Sequence, residues 1–153
     1  LKLLQMVEPD TLYLGQKDAQ QAALVAQMVR DFDLPVRVVV CATVRERDGL
    51  ALSSRNVYLS PEDRARARGI VKALRAGREL ARSGRRSAKT ILARVKAVLQ
   101  REARPDRVDY VALVDPKTFE PLATLEARGL LLAAARFGRT RLIDNVAIAA
   151  QGE

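Results

Sequence analysis

Residues 11–42 give the clearest indication of the fold class and read TLYLGQKDAQQAALVAQMVRDFDLPVRVVVCA. Residues 11–14 and 36–42 are apolar and β-prone, which predicts two buried strands, the second covered on both faces of a parallel sheet. Between them a helix is predicted from Lys17 or Asp18 to about Asp33. Its apolar face comprises Ala22, Val25, Ala26, Val29 and Phe32. Strand, helix and strand together predict a right-handed βαβ unit of a doubly wound sheet.

The residues ahead of this unit extend the same domain. Residues 1–7 have apolar positions at Leu1, Leu4 and Val7 and predict a helix with no capping residue ahead of it. Since Leu1 is not an initiator methionine, we expect the chain to be part of a longer protein that has lost its N-terminal portion. Residues 1–43 are therefore predicted to form the C-terminal part of a Rossmann-like nucleotide-binding domain.

The remainder of the chain has a different pattern. Ser60-Pro61-Glu62-Asp63 is a strong helix start, and the helix it opens is predicted to run to about Arg82 with Ala67, Val71, Leu74 and Ala81 buried. Ser87 is predicted to cap a second helix that ends before Pro105. Strand-like segments follow at residues 108–114, 129–137 and 141–146. Residues 44–153 are therefore predicted to be a small α+β C-terminal lid domain.

Composition excludes several classes of function. The 153 residues contain no histidine, which excludes a Ser-His-Asp or Cys-His nucleophile and a His-ligated metal site built from this chain alone. The single cysteine, Cys41, offers no internal disulfide, and no apolar run approaches the length of a membrane span. We expect a cytoplasmic protein that neither spans nor binds a membrane.

The net charge of +9 favours anionic partners. Aromatic residues make up only 4% of the chain, so few side chains are available to stack on the bases of a single-stranded nucleic acid. Nucleotides are therefore the favoured partners. The arginine-rich residues 64–86 respect the helical period and are interpreted as a solvated helix face. The alternative is that the chain is a basic nucleic-acid-binding module.

The first candidate segment for chemistry is Gly15-Gln16-Lys17-Asp18, where a strand turns into a helix. Backbone N–H groups and the helix dipole favour an anion there, and Lys17 adds a mobile positive charge. Gly15 allows close approach of a ligand, Asp18 can accept hydrogen bonds from ribose hydroxyls, and Gln21 projects near the same end toward a second substrate. From spacing alone, Lys17 and Asp18 are equally consistent with an ordinary surface helix start.

The second candidate segment is Asp48-Gly49-Leu50-Ala51-Leu52-Ser53-Ser54-Arg55-Asn56. Two hydroxyls beside an arginine on a loop supply the donors and the fork-shaped cation that a triphosphate needs. The alternative is an ordinary turn that Asn56 caps.

Taken together, these motifs closely resemble the pantothenate synthetase (pantoate-β-alanine ligase) family. That family carries a Gly-Glu-Lys-Asp motif and a Gln pair, then an Asp-Gly-Leu-Ala-hydrophobic-Ser-Ser-Arg-Asn loop, then a late Arg-Leu-Ile-Asp-Asn. The corresponding residues here are 15–18, Gln20-Gln21, 48–56 and 141–145. The Ser-Ser-Arg loop is similar to the mobile phosphate-binding loop of class I aminoacyl-tRNA synthetases, which belong to the same nucleotidyltransferase superfamily.

The resemblance implies ATP-dependent condensation of pantoate with β-alanine through a pantoyl adenylate, with Mg2+ accompanying ATP. Gly15 and Asp18 would hold the ribose, Lys17 the phosphates, the Val44 backbone the adenine, and Gln21 the pantoate. The implied ATP-binding residues are Gly15, Gln16, Lys17, Asp18, Val44, Leu52, Ser53, Ser54 and Arg55. Lys17, Ser53, Ser54 and Arg55 would be catalytic, because they meet charge that builds on the phosphates.

The sequence departs from the family pattern at three points. Gln16 stands where the family has Glu, Ala19 stands where an aromatic residue often follows the Asp, and the His-x-Gly-His signature of the N-terminal half is absent. We therefore expect this chain by itself to be inactive in pantothenate synthesis. The resemblance also implies a homodimer for the intact enzyme. No residue of this chain is predicted to bind a metal ion.

Overall fold

The computed structural model describes residues 1–150 and divides them into two compact units, Leu1–Val44 and the part from Arg45 onward. In the first unit the elements are α1 (Lys2–Val7), β1 (Thr11–Gly15), a 3-10 turn (Gln16–Asp18), α2 (Ala19–Asp31) and β2 (Arg37–Cys41). β1 and β2 pair in parallel, and Thr11 lies opposite Arg37 while Gly15 lies opposite Cys41. The predicted parallel strand-helix-strand arrangement is confirmed.

Burial of the two parallel strands is lower than their composition predicts. No residue of either strand is fully buried; Tyr13 is exposed, and half of the surface of Val40 is accessible. The prediction that β2 is covered on both faces is therefore wrong for this chain. The physical reason is that the unit contributes two strands, and α2 is the long helix that packs on them.

The helix between the strands also differs from its prediction at both ends. It begins at Ala19, because residues 16–18 form a tighter 3-10 turn, and it ends at Asp31. Ala22 and Val29 are buried as predicted, but Phe32 lies beyond the last turn and is 60% exposed. Asp33 has a positive φ of 48°, a left-handed conformation that turns the chain toward the second strand.

The second unit combines helices with an antiparallel sheet. Its elements are a 3-10 turn (Ser54–Tyr58), α3 (Pro61–Ala67), α4 (Gly69–Arg82), α5 (Ala88–Val98), a π-helical turn (Leu99–Ala103), β3 (Arg107–Val114), β4 (Arg128–Phe137) and β5 (Thr140–Ala149). The strands lie in the order β3-β4-β5, and both pairings are antiparallel. The predicted class, a parallel α/β part followed by an α+β part, is confirmed.

The core of this unit lies between the helices and the sheet. α4 packs against α5, β4 and β5, and α5 packs against β3. The predicted stripe of Ala67, Val71, Leu74 and Ala81 is buried, as are Ile91, Val95, Val98 and Leu99 from the second helix. Ser60 caps α3 as predicted, because its Oγ accepts a hydrogen bond from the Asp63 N–H at 3.0 Å.

The predicted single helix over residues 61–82 is two helices separated at Arg68. Gly69, the first residue of α4, faces the backbone of Ala103, and a Cβ at this position would overlap it. The close approach of the two backbones therefore requires glycine at this position. Within residues 1–150 no helix has the length and apolar content needed to cross a membrane.

Candidate functional site

In the first unit the predicted residues collect at one edge of the sheet. Gly15 is the last residue of β1 and lies opposite Cys41, the last residue of β2, so both carboxyl ends meet at that edge. The turn of residues 16–18 follows the first strand, and Val44 follows the second. Open α/β sheets bind ligands outside the carboxyl ends of their strands.

The edge offers positive charge and polar groups to a ligand. The Lys17 side chain is only 16% exposed, and its Nζ lies 3.8 Å from a carboxylate oxygen of Asp18. Asp18 is the N-cap of α2, and its carboxylate makes no cap hydrogen bond within the described residues. Gln21 lies exposed in the first turn of the helix.

Two further features leave room for a ligand at this edge. A Cβ built on Gly15 would meet nothing within 4 Å, so the space beside its backbone is open. The hydroxyl oxygen of Thr43 is buried and has no hydrogen-bond partner within residues 1–150. Buried polar atoms are rarely left unpaired, so this hydroxyl can bond to a water molecule or to a ligand group.

In the second unit the hydroxyl-bearing segment 52–55 leads into a 3-10 turn. Ser53 Oγ accepts a hydrogen bond from the Arg55 N–H at 3.2 Å and caps the turn. Leu52, Ser54 and Arg55 are exposed, and the Arg55 guanidinium has no carboxylate partner among the described residues. The segment thus presents one free cation and the Ser54 hydroxyl to solvent, which suits contact with phosphate oxygens.

The start of this loop is fastened to the last strand by a bidentate ion pair. Arg45 Nη1 and Nη2 donate to the two carboxylate oxygens of Asp144 at 2.7 and 3.0 Å. Asp144 is only 4% exposed, and its Oδ1 also accepts from the Asn145 N–H at 2.8 Å. Arg45 additionally donates to the Gly49 carbonyl at 3.2 Å and forms a β-bridge with Ala51. One arginine therefore fixes the loop to β5 and closes the turn within the loop.

A second polar cluster fixes the far end of the loop. Asn56 is buried, and its Nδ2 donates to Glu46 Oε1 at 2.5 Å and to the Ala51 carbonyl at 3.1 Å. Arg64 of α3 bridges Glu46 and Asp48. The loop is consequently held at both ends, while residues 52–55 between the anchors remain accessible.

Hydrogen bonding shifts the pKa values in this cluster. The hydrogen bonds from Arg64 and Asn56 lower the pKa of Glu46 below its ordinary value. Burial acts to raise the pKa of Asp48, but the Leu50 N–H and Arg64 outweigh it and the pKa is lowered. The pKa of Arg64 is raised by the same Glu46 hydrogen bond. All three groups are therefore charged when the loop is in this conformation.

We expect acidification to remove the stability that Glu46 contributes. A carboxyl whose pKa is lowered by folding stabilises the fold fully above its unfolded pKa, here the ordinary value of 4.5, and progressively less as the pH falls through the folded value. Glu46→Gln should therefore be less stable than the parent chain near neutral pH, and the difference should shrink below pH 4.5. Urea denaturation followed by circular dichroism over a pH series measures this.

The matched control is Glu126→Gln, because Glu126 is an exposed glutamate outside the cluster. This variant should follow the parent chain at every pH. A stability difference between Glu46→Gln and the parent that stays constant from neutral to acidic pH would contradict the assigned role of the Glu46 charge.

The structure gathers the sequence-predicted residues into two sets. One set lies at the sheet edge of the first unit: Gly15, Gln16, Lys17, Asp18, Gln21 and Val44. The other lies in the loop of the second unit: Leu52, Ser53, Ser54 and Arg55. Asn56, considered as a turn cap, instead binds Glu46 and Ala51 with its side chain.

Several residues that fix the loop were missed by the sequence reasoning. Arg45 and Glu46 are not among the candidate residues, and Arg64 is interpreted as part of a solvated helix face, but each makes ion pairs that anchor the loop. The assignment of Arg64 was wrong because α3 faces the loop at this position. The Arg-Leu-Ile-Asp-Asn motif contained Asp144, which was the available signal, but its partner lies 99 positions away.

The amino-acid sequence of this chain is similar to those of known proteins over nearly its whole length. The sequence model of the pantoate-beta-alanine ligase family matches residues 1–147. Pantothenate synthetase from Chloroflexus aurantiacus (strain ATCC 29366 / DSM 635 / J-10-fl) is 49% identical over 155 residues, covering 99% of this chain and 54% of the relative.

Two crystal structures are also similar. Pantothenate synthetase from Thermus thermophilus superposes with a TM-score of 0.89 at 46% identity, covering 95% of this chain and 52% of that one. Pantoate-beta-alanine ligase from Francisella tularensis, complexed with beta-gamma ATP and beta-alanine, gives a TM-score of 0.63 at 32% identity, covering 95% and 46%. This chain spans about half the length of each of these three proteins.

Proposed function

Because this chain belongs to the pantoate-beta-alanine ligase family, we propose that it forms the C-terminal, ATP-holding half of a pantothenate synthetase. The reaction is the ATP-dependent condensation of pantoate with β-alanine. The observation that carries this proposal is the parallel register that joins the Gly15–Asp18 turn and the Thr43–Val44 segment at one sheet edge. The complex of the Francisella tularensis relative with an ATP species and beta-alanine supports the choice of substrates.

Each proposed role follows from the chemistry of the side chain. Gly15 and Asp18 bind the ribose, because open space lies beside the first and the second carries a carboxylate that accepts hydroxyl hydrogen bonds. Gln16 lies beside them in the same turn. The backbone of Val44 receives the adenine, and Gln21 on the first turn of the helix binds the pantoate.

The phosphate region is assigned to cations and hydroxyls. Lys17 contributes its charge from the sheet edge, while Ser53, Ser54 and Arg55 contribute from the anchored loop, with Leu52 beside the base. In the first step the pantoate carboxylate attacks the α-phosphorus and pyrophosphate leaves with the electron pair of the broken bond. Negative charge builds on the departing oxygens, and preorganised cations lower the energy of that transition state.

In the second step the β-alanine amine attacks the carbonyl carbon of the pantoyl adenylate. AMP leaves and pantothenate is released. No catalytic base from this chain is assigned to this step. The residues named here act by holding the adenylate in place and by excluding alternative orientations of its carbonyl.

Magnesium is proposed to enter with the nucleotide. Among residues 1–150 no group of three or more Cys, Asp or Glu side chains converges in a way that could hold a metal ion. Mg2+ commonly binds through substrate phosphates and keeps several waters. We therefore assign the ion to MgATP as substrate.

The intact enzyme is proposed to be a cytoplasmic homodimer that binds neither nucleic acid nor membrane. The ion pairs of Arg64 and Arg66 with carboxylates argue against the nucleic-acid-binding alternative, since these two arginines are not displayed as free charges.

The test is to assay pantothenate formation with and without an N-terminal half. We expect the purified chain of residues 1–153 to release AMP from ATP, pantoate and β-alanine no faster than a blank, because the residues that complete the pantoate and β-alanine pocket are proposed to lie in the other half. The same chain fused behind the N-terminal half of the Thermus thermophilus enzyme should restore pantoate-dependent AMP release. Turnover by the isolated chain equal to that of the fusion would contradict the proposal that catalysis needs residues of the N-terminal half.

A control guards against a poorly folded fusion. The control is the N-terminal half of the Thermus thermophilus enzyme joined at the same boundary to its own C-terminal half. This control protein must be active. If that control is active and the fusion with this chain is folded but inactive, the assignment of this chain to pantothenate synthesis is wrong.

A further inference from the structure

The second unit contains a cleft of which the proposed function uses a single lining residue, Arg55. Its volume is about 610 Å3, and it lies beside the turn that joins β4 to β5. The side chains that form its walls include Arg55, Tyr58, Asp63, Phe137, Arg139 and Arg141. Only Arg55 belongs to the phosphate-binding loop, so the other arginines need a separate explanation.

Positive charge exceeds negative charge in this cleft. Asp63 is the one carboxylate among the lining residues, and it already accepts from Arg66 at 2.8 Å. Arg141 donates through Nε to Asp109 at 2.6 Å. Neither Arg55 nor Arg139 has a carboxylate partner in the part of the chain that the structure describes. Two uncompensated guanidinium groups therefore share one concave surface, and they favour an anion there.

A hydrogen-bonded turn between β4 and β5 presents Arg139 to the cleft. β4 and β5 pair up to the facing residues Phe137 and Thr140, so Arg139 lies in a two-residue turn. Gly138 adopts a φ of +56° in that turn, which favours glycine, and its N–H donates to Asp106 Oδ2 at 2.5 Å. Such anchoring reduces the conformational entropy lost when a ligand binds.

Arg141 is held in place from two sides. Its guanidinium lies 5.8 Å from the centroid of the Tyr110 ring, in addition to its ion pair with Asp109. The Asp109 hydrogen bond raises the pKa of Arg141, so its charge is retained. The cleft consequently has one fixed cation, Arg141, and two exposed ones, Arg55 and Arg139.

We propose that this cleft binds a diphosphate group, for which inorganic pyrophosphate is the minimal ligand. A pyrophosphate carries several oxygens on two phosphorus centres. Two guanidinium groups can therefore each contact one phosphate group, which a ligand with a single carboxylate or a single phosphate does not allow. Arg55 then belongs to both the loop and the cleft. The diphosphate comes either from free pyrophosphate or from the β- and γ-phosphates of ATP. The assignment of either source rests on the proposed function, whereas the binding of a diphosphate to this cleft does not.

The experiment is a calorimetric titration of the chain of residues 1–153 with sodium pyrophosphate at low ionic strength. Pyrophosphate should bind at a single site, and Arg139→Gln should weaken it about tenfold, because one charge-assisted contact is lost. Arg139 is exposed in a turn, so the variant should retain the parent unfolding temperature. Arg85→Gln removes an equal charge from an exposed position away from the cleft and should leave the affinity unchanged.

Two outcomes would overturn the proposal: no measurable pyrophosphate binding, or an equal loss of affinity in Arg139→Gln and Arg85→Gln. A second titration with ATP identifies the source. Weaker ATP binding by Arg139→Gln assigns the cleft to the triphosphate tail, and unchanged ATP binding assigns it to free pyrophosphate. AMP should bind equally to both variants, since it lacks a diphosphate. Because no turnover is measured, these results are independent of the activity of the fusion enzyme.

Discussion

Replacing Lys17 by methionine in the fusion enzyme should lower the rate of adenylate formation about a hundredfold. The Lys17 side chain is largely buried at the carboxyl edge of the parallel strands, so its ammonium group is held near the proposed phosphates. Methionine preserves length and apolar packing but removes the charge. Since this charge is proposed to act mainly as pyrophosphate departs, the rate should fall more than the affinity for ATP. Single-turnover formation of pantoyl adenylate measures the effect directly.

The control for Lys17→Met is the triple variant in which Arg82, Arg85 and Arg86 become glutamine. These arginines are exposed at the end of α4 and in the loop that follows, and the variant should retain almost the full rate. A Lys17→Met fusion that forms adenylate at nearly the parent rate would remove the lysine from the proposed mechanism. A large loss in the triple variant would instead show that the basic surface takes part.

Replacing Asp144 by alanine should destabilise the chain by about 3 kcal/mol. The carboxylate is almost fully buried and accepts both Nη groups of Arg45, so its removal leaves a guanidinium without its partner. The Asn145 N–H loses an acceptor as well. Chemical denaturation of residues 1–153 gives the free energy of unfolding, and proteolysis within residues 45–56 reports whether the loop has detached.

A double variant separates the cost of the unpaired charge from the cost of lost packing. Arg45→Met combined with Asp144→Leu replaces the pair by apolar side chains and should recover part of the loss, because no buried charge is left alone. Glu102→Ala is the comparison at the surface, where the ion pair with Lys72 is more exposed, and it should cost much less. Equal destabilisation by Asp144→Ala and Glu102→Ala would contradict the anchoring role.

Local sequence patterns predicted much of this fold because the forces that they report are local. The serine caps at Ser60 and Ser87 depend on residues within one turn, and the apolar stripe of α4 follows from helical spacing. Predictions went wrong where burial depends on distant partners. Phe32 fits the apolar period but lies past the end of its helix, and the predicted single helix over residues 61–82 is two helices.

The candidate site shows the same division. Lys17 and Arg55 are proposed from the sequence because each belongs to a polar segment that follows a predicted strand. The ion pair of Arg45 with Asp144 could not be found in this way, since 99 positions separate the partners and neither side chain is unusual in its own neighbourhood. The cleft beside Arg139 likewise exists only because an antiparallel turn lies near the loop of Arg55.

The sequence by itself determined the βαβ order, the helix caps, the chemical character of the two candidate segments and the resemblance to one ligase family. These properties depend on residue type and short-range spacing, which are present in the chain before it folds. The folded chain alone shows which carboxylates neutralise which arginines, and therefore which guanidinium groups have no carboxylate partner among residues 1–150. That selection depends on distances between residues far apart in the chain, because the energy of an ion pair depends on the separation of its charges and on their burial.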